Sequence, residues 1–299
     1  MRILVTGGAG FIGSALANKI QQNHQVVVLD DLSVGTWSRT NPSMQRLQIN
    51  LEVVEFGSLV EILKDIDILC HLSAVKLHNE KNSIETIENS NLLVTQKIAL
   101  AAALAGVKKV LFTSSLYAYG NKGPALSVEN DPLVPYNDYG RSKKMGEEIF
   151  TRYASEFGYK LVVARPYFIY GPQQYVKGGY KSVITTNIER YRSGLPLIMV
   201  GSGRQKMDFV YIDDCIDALE RMIDPSVQGT FNIASQEPVT IGQVIKYINV
   251  GEKSAIQHQE ADWTEGTVRA GNSEKLRSEL NWQPKISIAQ GIRKLLGED

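Results

Sequence analysis

Arg2-Ile-Leu-Val-Thr6, Gly7-Gly-Ala-Gly10-Phe11-Ile12-Gly13 and Gln25-Val-Val-Val-Leu-Asp30 stand within the first 30 residues of a chain of 299. The apolar run Ile3 to Val5 has the length of a buried strand, and glycines follow it at once. From Ser14 to Ile20 the apolar positions take helical spacing, and a second apolar run then closes on Asp30. Strand, tight turn, helix and strand make one βαβ unit, and its chemistry is that of a dinucleotide site. Gly7, Gly10 and Gly13 let the backbone turn sharply and approach a pyrophosphate. Phe11 and Ile12 open a helix whose first N–H groups carry partial positive charge. Asp30 is placed to accept hydrogen bonds from the adenosine ribose. Asp31 follows it, and a 2′-phosphate beside two acids would meet like-charge repulsion, so NAD is expected rather than NADP. Such glycine turns also close ordinary loops; the register of strand, helix, strand and acid is what gives this one its reading.

Composition sets the outer bounds. Lys plus Arg and Asp plus Glu both number 32, which gives no reason to expect a nucleic-acid or membrane-surface partner. Hydrophobic residues make up 43% and charged residues 21%, ordinary for a globular protein. No apolar run approaches a membrane span. The first strand begins at once, leaving no room for a signal peptide, so a cytoplasmic location is expected. Cys70 and Cys215 sit in apolar patterns and suggest neither a disulfide framework nor a metal site.

Further strand-like runs recur at 52–56, 66–71, 110–113 and 161–164, with helical patterns at 86–105 and 138–157 between them. This alternation predicts an α/β fold: a Rossmann-type doubly wound parallel sheet with helices on both faces. After Gly171-Pro172 the pattern is less regular, with helices expected at 181–193, 213–223 and 288–296 and a strand at 209–211. The division expected is a dinucleotide domain over 1–170 with a return segment at about 208–235. A smaller mixed α/β C-terminal domain over 171–207 and 236–299 would give a substrate pocket its second wall.

Tyr139-Gly-Arg-Ser-Lys143 falls on a predicted helix, where residues four apart share a face. A free phenol has a pKa of about 10, a poor base at neutral pH. A neighbouring ammonium, with an oxidised nicotinamide ring, stabilises the phenolate and fits it to take the proton of a substrate alcohol. By itself the pair is equally a solvated helix face. Upstream, Val110-Leu-Phe-Thr-Ser114-Ser115 reads as a buried strand ending in hydroxyls at the ligand-binding end of the sheet. Ser115 is placed either to hydrogen-bond the reacting oxygen or to cap the following turn.

Here the chain resembles a known family, the extended short-chain dehydrogenase/reductases, and within it the NAD-dependent epimerase/dehydratase group. The resemblance is carried by Gly7 to Gly13, His71-Leu72-Ser-Ala74, Ser114-Ser115-Leu-Tyr117-Ala-Tyr-Gly120 and Tyr139 to Lys143. It continues through Arg165-Pro-Tyr167-Phe168-Ile-Tyr-Gly-Pro172, Asp208-Phe-Val-Tyr-Ile-Asp-Asp214 and Asn281-Trp-Gln-Pro284. It implies that Ser115, Tyr139 and Lys143 are the catalytic triad, with Tyr139 as base, and that Tyr139 and Lys143 also touch the cofactor, Lys143 at the nicotinamide ribose. Leu72, Ala74 and Tyr167 would lie along the cofactor, and Lys76 looks like a lysine near the cofactor phosphates in UDP-galactose 4-epimerases. Asn91 falls where relatives carry a structural asparagine. The helices at 86–105 and 138–157 usually build the four-helix bundle of a homodimer in relatives, although their apolar faces could equally pack internally.

The resemblance also orders the possible reactions. Sugar dehydratases of the group carry an Asp-Glu pair directly after the catalytic hydroxyl, and its decarboxylases tend to have an acid in the same neighbourhood. This chain has Leu116 and Tyr117 there. A nucleotide-sugar epimerase, of the 4-epimerase type, needs neither acid. The alternatives are another NAD-dependent sugar-modifying member of the family, an oxidoreductase, dehydratase or decarboxylase, and behind them a non-catalytic NAD sensor. Two positions depart from the pattern: relatives place a diphosphate-contacting asparagine where this chain has Phe168, and an arginine where it has Met207. Substrate contacts are therefore expected from Ser115, Tyr117, Phe168, Arg204, Lys206 or Arg269. No metal is expected.

Overall fold

The computed structural model describes residues 1–75, 87–121, 123–174 and 181–298. Strands and helices alternate through the first part of the chain. They are β1 (Arg2–Thr6), α1 (Phe11–Ile20), β2 (Gln25–Asp30), β3 (Gln45–Gln48) and α2 (Phe56–Leu63). There follow β4 (Ile68–His71), α3 (Val94–Leu104), β5 (Lys109–Thr113), α4 (Asp138–Phe157) and β6 (Lys160–Pro166). Shorter elements come next: β7 (Phe168–Tyr170), α5 (Val183–Arg192), β8 (Leu197–Val200), β9 (Lys206–Met207), β10 (Phe209–Tyr211) and α6 (Ile212–Met222). The last are β11 (Gly229–Ile233), β12 (Val239–Thr240), α7 (Ile241–Ile248), β13 (Ile256–Gln259), β14 (Val268–Arg269), α8 (Glu274–Leu280) and α9 (Ile288–Leu296).

The main sheet has seven strands in the order β11-β6-β5-β4-β1-β2-β3, and every neighbouring pair is parallel. It is an α/β, Rossmann-type sheet. Its inner strands β1, β2, β4 and β5 are buried on both faces, which is why they read as unbroken apolar runs rather than alternating ones. Ile3 and Val5 join one core with Val26, Val28, Ile68 and Cys70, while Leu4 joins the other with Val27, Leu29 and Leu69. Strand order reverses at β1, between β2 and β4, and a ligand crevice opens beyond the carboxyl ends of such strands. β7 pairs with β10, and β14 and β12 flank β9, so residues distant in sequence converge near that end.

Two expectations are corrected. Residues 52–56 form no strand. The Asn50 side chain accepts from the Glu52 amide at 2.8 Å and its carbonyl from the Val54 amide at 3.1 Å, which folds the chain into a turn and leaves Val53 76% exposed. The edge strand is β3 instead, a polar segment that apolar patterning does not reveal. The single helix expected over 86–105 is a wide π turn, Glu88–Leu93, leading into α3; residue 86 lies outside the described residues.

Candidate active site

The turn after β1 is shaped by close backbone approach. Gly7 has φ +66°, and a Cβ there would stand 2.8 Å from the Ser73 nitrogen; at Gly13 it would stand 2.1 Å from the Gly7 carbonyl oxygen. Only glycine fits these positions. Gly10 precedes α1 with no side-chain cap and no acid in the first turn, so the helix's opening N–H groups remain available to an anion. Asp30, at the end of β2, accepts from the Ala9 amide at 3.0 Å and the Leu32 amide at 2.9 Å. Burial pushes its pKa up, and those two hydrogen bonds oppose the shift. A bare glycine turn, an uncapped helix end and a positioned carboxylate fit the pyrophosphate and ribose of NAD.

The neighbouring residues take distinct places. Phe11 and Ile12 form the half-buried first turn of α1. Asp31 is exposed and accepts from the Ser33 amide and hydroxyl, a local turn. Leu72 follows β4 half-buried and Ala74 is exposed beyond it. Asn91 accepts from the Val75 amide at 2.7 Å and donates to the Val75 carbonyl at 2.8 Å and to Ser142 Oγ at 3.2 Å, tying this segment to α4. Lys76 lies outside the described residues.

Ser115, Tyr139 and Lys143 converge. Asn137 caps α4 by accepting from the Gly140 amide at 2.7 Å, which sets Tyr139 in the first turn and Lys143 one turn on. The Ser115 hydroxyl accepts from the Tyr117 amide at 3.3 Å and also lies within hydrogen-bonding reach of the Tyr139 phenol. The cap is formed, and because a hydroxyl both accepts and donates, the same oxygen can also face Tyr139. Lys143 donates to the Thr113 carbonyl at 2.8 Å, with Nζ 5.8 Å from the Tyr139 ring centroid. Burial raises the Tyr139 pKa, the Tyr117 phenol adds to this, and Ser115 opposes it. Burial and Tyr117 thus work against the phenolate, and an ammonium or other positive charge brought near the ring would work for it.

Aromatic side chains stand beside Tyr139. Tyr117 lies edge-on to it at 6.0 Å between centroids, to Tyr136 at 6.3 Å and to Phe168 at 6.3 Å. Tyr136 meets Trp263 at 4.6 Å. The Arg269 guanidinium closes the ring, 4.9 Å from the Phe168 centroid and 5.4 Å from that of Trp263. Tyr167 is buried beside this group. Arg204 and Lys206 are not gathered with them: Arg204 reaches Ser202 and Glu265, and Lys206 is exposed on β9.

Residues 3–234 match the NAD dependent epimerase/dehydratase family. The chain belongs to this family, and its cofactor is NAD. The whole length is shared with relatives. A putative UDP-glucose 4-epimerase of Methanocaldococcus jannaschii is 29% identical over 98% of this chain and 97% of its own length. A UDP-N-acetyl-alpha-D-glucosaminuronate decarboxylase of Bacillus cytotoxicus is 31% identical over 99% and 96%. Among solved structures, UDP-glucose 4-epimerase of Thermotoga maritima with UDP-glucose superposes with a TM-score of 0.90 at 26% identity, covering 100% of this chain and 98% of that one. The family therefore holds both UDP-sugar epimerases and UDP-sugar decarboxylases.

Sequence reading missed the network beneath the site of this epimerase/dehydratase family member. Glu147 lies one further turn along α4 from Lys143, on the same face. Its carboxylate accepts from Arg165 Nε at 2.9 Å and Nη2 at 2.6 Å, and from Ser114 Oγ at 2.5 Å, all buried. Arg165 also donates to the Tyr119 hydroxyl at 2.8 Å and the Glu129 carbonyl at 2.9 Å, and Tyr119 donates to Asn232 Oδ1 at 2.8 Å. The spacing 139, 143, 147 was the available signal. Tyr136 and Trp263 carried none, because loops bring them in.

Proposed function

We propose that the protein is an NAD-dependent nucleotide-sugar epimerase of the 4-epimerase type, working through transient oxidation to a keto-sugar. The observation that carries the reading is the pairing of a complete Ser115, Tyr139 and Lys143 constellation with the absence of an acid at the next two positions. Leu116 is buried and has no proton to give, and Tyr117 presents a phenol whose pKa burial raises, against the lowering effect of Arg269. Elimination of water needs an acid and base there; a reversible oxidation does not.

When bound, NAD supplies the oxidising power, accepting hydrogen from the sugar carbon and giving it back. The chain's own residues manage the proton and the geometry. Tyr139 as phenolate takes the proton of the sugar hydroxyl and later returns it. Ser115 hydrogen-bonds the reacting oxygen, and Lys143, anchored on Thr113, contributes the positive charge that makes the phenolate accessible. Inversion then requires that the keto-sugar present its other face to the same groups.

A UDP-sugar decarboxylase is the second reading, favoured by the 31% identical relative. The domain division at about 170, a homodimer formed over α3 and α4, and a cytoplasmic location belong to the same proposal; Leu93 and Leu104 on one side and Met145 and Phe157 on the other leave apolar surface exposed for the pairing. Incubating the NAD-loaded protein with UDP-, GDP-, TDP- and CDP-sugars, uronates included, tests the activity by NMR and mass spectrometry. A product of unchanged mass with one inverted centre supports the epimerase; loss of carbon dioxide or water replaces it with a decarboxylase or dehydratase.

A further inference from the structure

Three cations had been candidates for the substrate, and burial separates them. The Arg204 side chain is 81% exposed and lies 3.8 Å from Glu265. Lys206 is exposed. Arg269 is only 6% exposed, held over the rings of Phe168 and Trp263, with the phenols of Tyr117 and Tyr136 within hydrogen-bonding reach. Its Nε–H is buried and, among the described residues, meets no acceptor. A buried guanidinium with an unmet donor is unfavourable until an anion reaches it.

Its position reinforces the point. Arg269 is the register partner of Met207 across β14 and β9, and it stacks on Phe168. Those are the two positions where this chain carries an apolar side chain in place of a polar one expected from the family resemblance. Tyr117, which reaches both Arg269 and Tyr139, is the one residue of 111–120 that is not buried, so the cluster adjoins Tyr139 through a half-buried side chain.

We propose that Arg269 is the anion anchor of the substrate site, taking one anionic oxygen group of the substrate, phosphate or carboxylate, on its unpaired Nε–H edge while the aromatic rings hold the guanidinium plane. The inference rests on the nucleotide-sugar reading for the identity of the ligand, not for the existence of the anion site. A guanidinium is required: a lysine ammonium has neither the planar face nor the forked N–H edge.

Calorimetric titration of the NAD-loaded protein with UDP, UDP-glucose, UDP-glucuronate and inorganic pyrophosphate tests it. Arg269→Lys is expected to weaken binding by about 10- to 100-fold, the loss of one charge-assisted hydrogen bond, with NAD affinity and Tm retained. Weakening that extends to UDP and pyrophosphate places the diphosphate on Arg269; weakening confined to UDP-glucuronate places the carboxylate there. Trp263 is 58% exposed, so Trp263→Leu removes one stacking ring without threatening the fold, and it too is expected to weaken binding, by a smaller factor. Equal binding by wild type and both variants overturns the anchor. So does a loss that appears in Arg204→Gln or Lys206→Gln but not in Arg269→Lys. Should the wild type bind none of the three UDP ligands, the nucleotide-sugar reading fails, and pyrophosphate alone decides Arg269: binding lost in Arg269→Lys sustains it, and binding unchanged or undetectable in the wild type overturns it.

Discussion

The cofactor end and the proposed substrate wall meet at Tyr139 and are built by opposite means. At the cofactor end the parts are mostly backbone: a glycine turn, a helix N-terminus and the ends of β1 and β2, with the Asp30 carboxylate beside them, nearly contiguous in sequence. The substrate wall is made of side chains from separate segments, with Tyr117, Tyr136, Phe168, Trp263 and Arg269 interlocked through ring contacts. A backbone site admits little change, because a single Cβ collides with a carbonyl. A side-chain wall can be rebuilt residue by residue while the chemistry beside it stays fixed. This is the physical sense in which one fold hosts several sugar reactions.

The junction itself gives the largest effect. Tyr139→Phe is expected to lower turnover by about 10²- to 10⁴-fold, the scale of losing an acid–base group, while NAD affinity is retained. Steady-state kinetics and NAD titration on the same sample check this; a parallel loss of NAD binding would mean that Tyr139 belongs to the cofactor end as well. Next comes the buried network. Glu147→Gln strands the Arg165 charge, and the cost expected is about 3–5 kcal/mol of stability, read by denaturant unfolding. Gly13→Ala probes the backbone site directly. Its Cβ would overlap the Gly7 carbonyl, so NAD binding should collapse together with about 1–3 kcal/mol of stability.

An effect that grows only gradually with pH concerns His71, at the end of β4, where burial and then Lys143 depress the imidazole pKa to about 3. The unfolded chain binds a proton at this site below about 6.5 and the folded chain does not until about 3. His71 therefore contributes stability fully present above pH 6.5 and lost as pH falls toward 3, with a slope of about 1.4 kcal/mol per pH unit. Unfolding free energies between pH 4 and 6 should show a shallower slope in His71→Gln. An identical slope would mean that the ring is protonated in the folded chain.

The contrast between the two regions also explains what could be read in advance. The parallel sheet and the glycine turn were legible because local periodicity encodes them, and spacing put Tyr139 and Lys143 on one helix face, while their proposed roles came from the family resemblance. Glu147 was within reach of the same rule, one turn beyond Lys143. Residues 52–56 misled because two adjacent valines mimic a strand where the Asn50 side chain makes a turn. The wall was only partly legible: Arg269 stood among several cations, and nothing local distinguished it from Arg204. Its burial depends on Phe168 and Trp263, which are far apart in sequence and meet only in the fold.

The most direct test of the central claim follows a label. UDP-glucose carrying deuterium at C4 is incubated with the NAD-loaded protein, and the product is read by NMR. The account predicts inversion at C4 with the deuterium retained at that carbon, because the hydrogen leaves and returns within one site. Deuterium lost to solvent during inversion would contradict transient oxidation at C4, and inversion at another carbon with C4 untouched would contradict the 4-epimerase assignment.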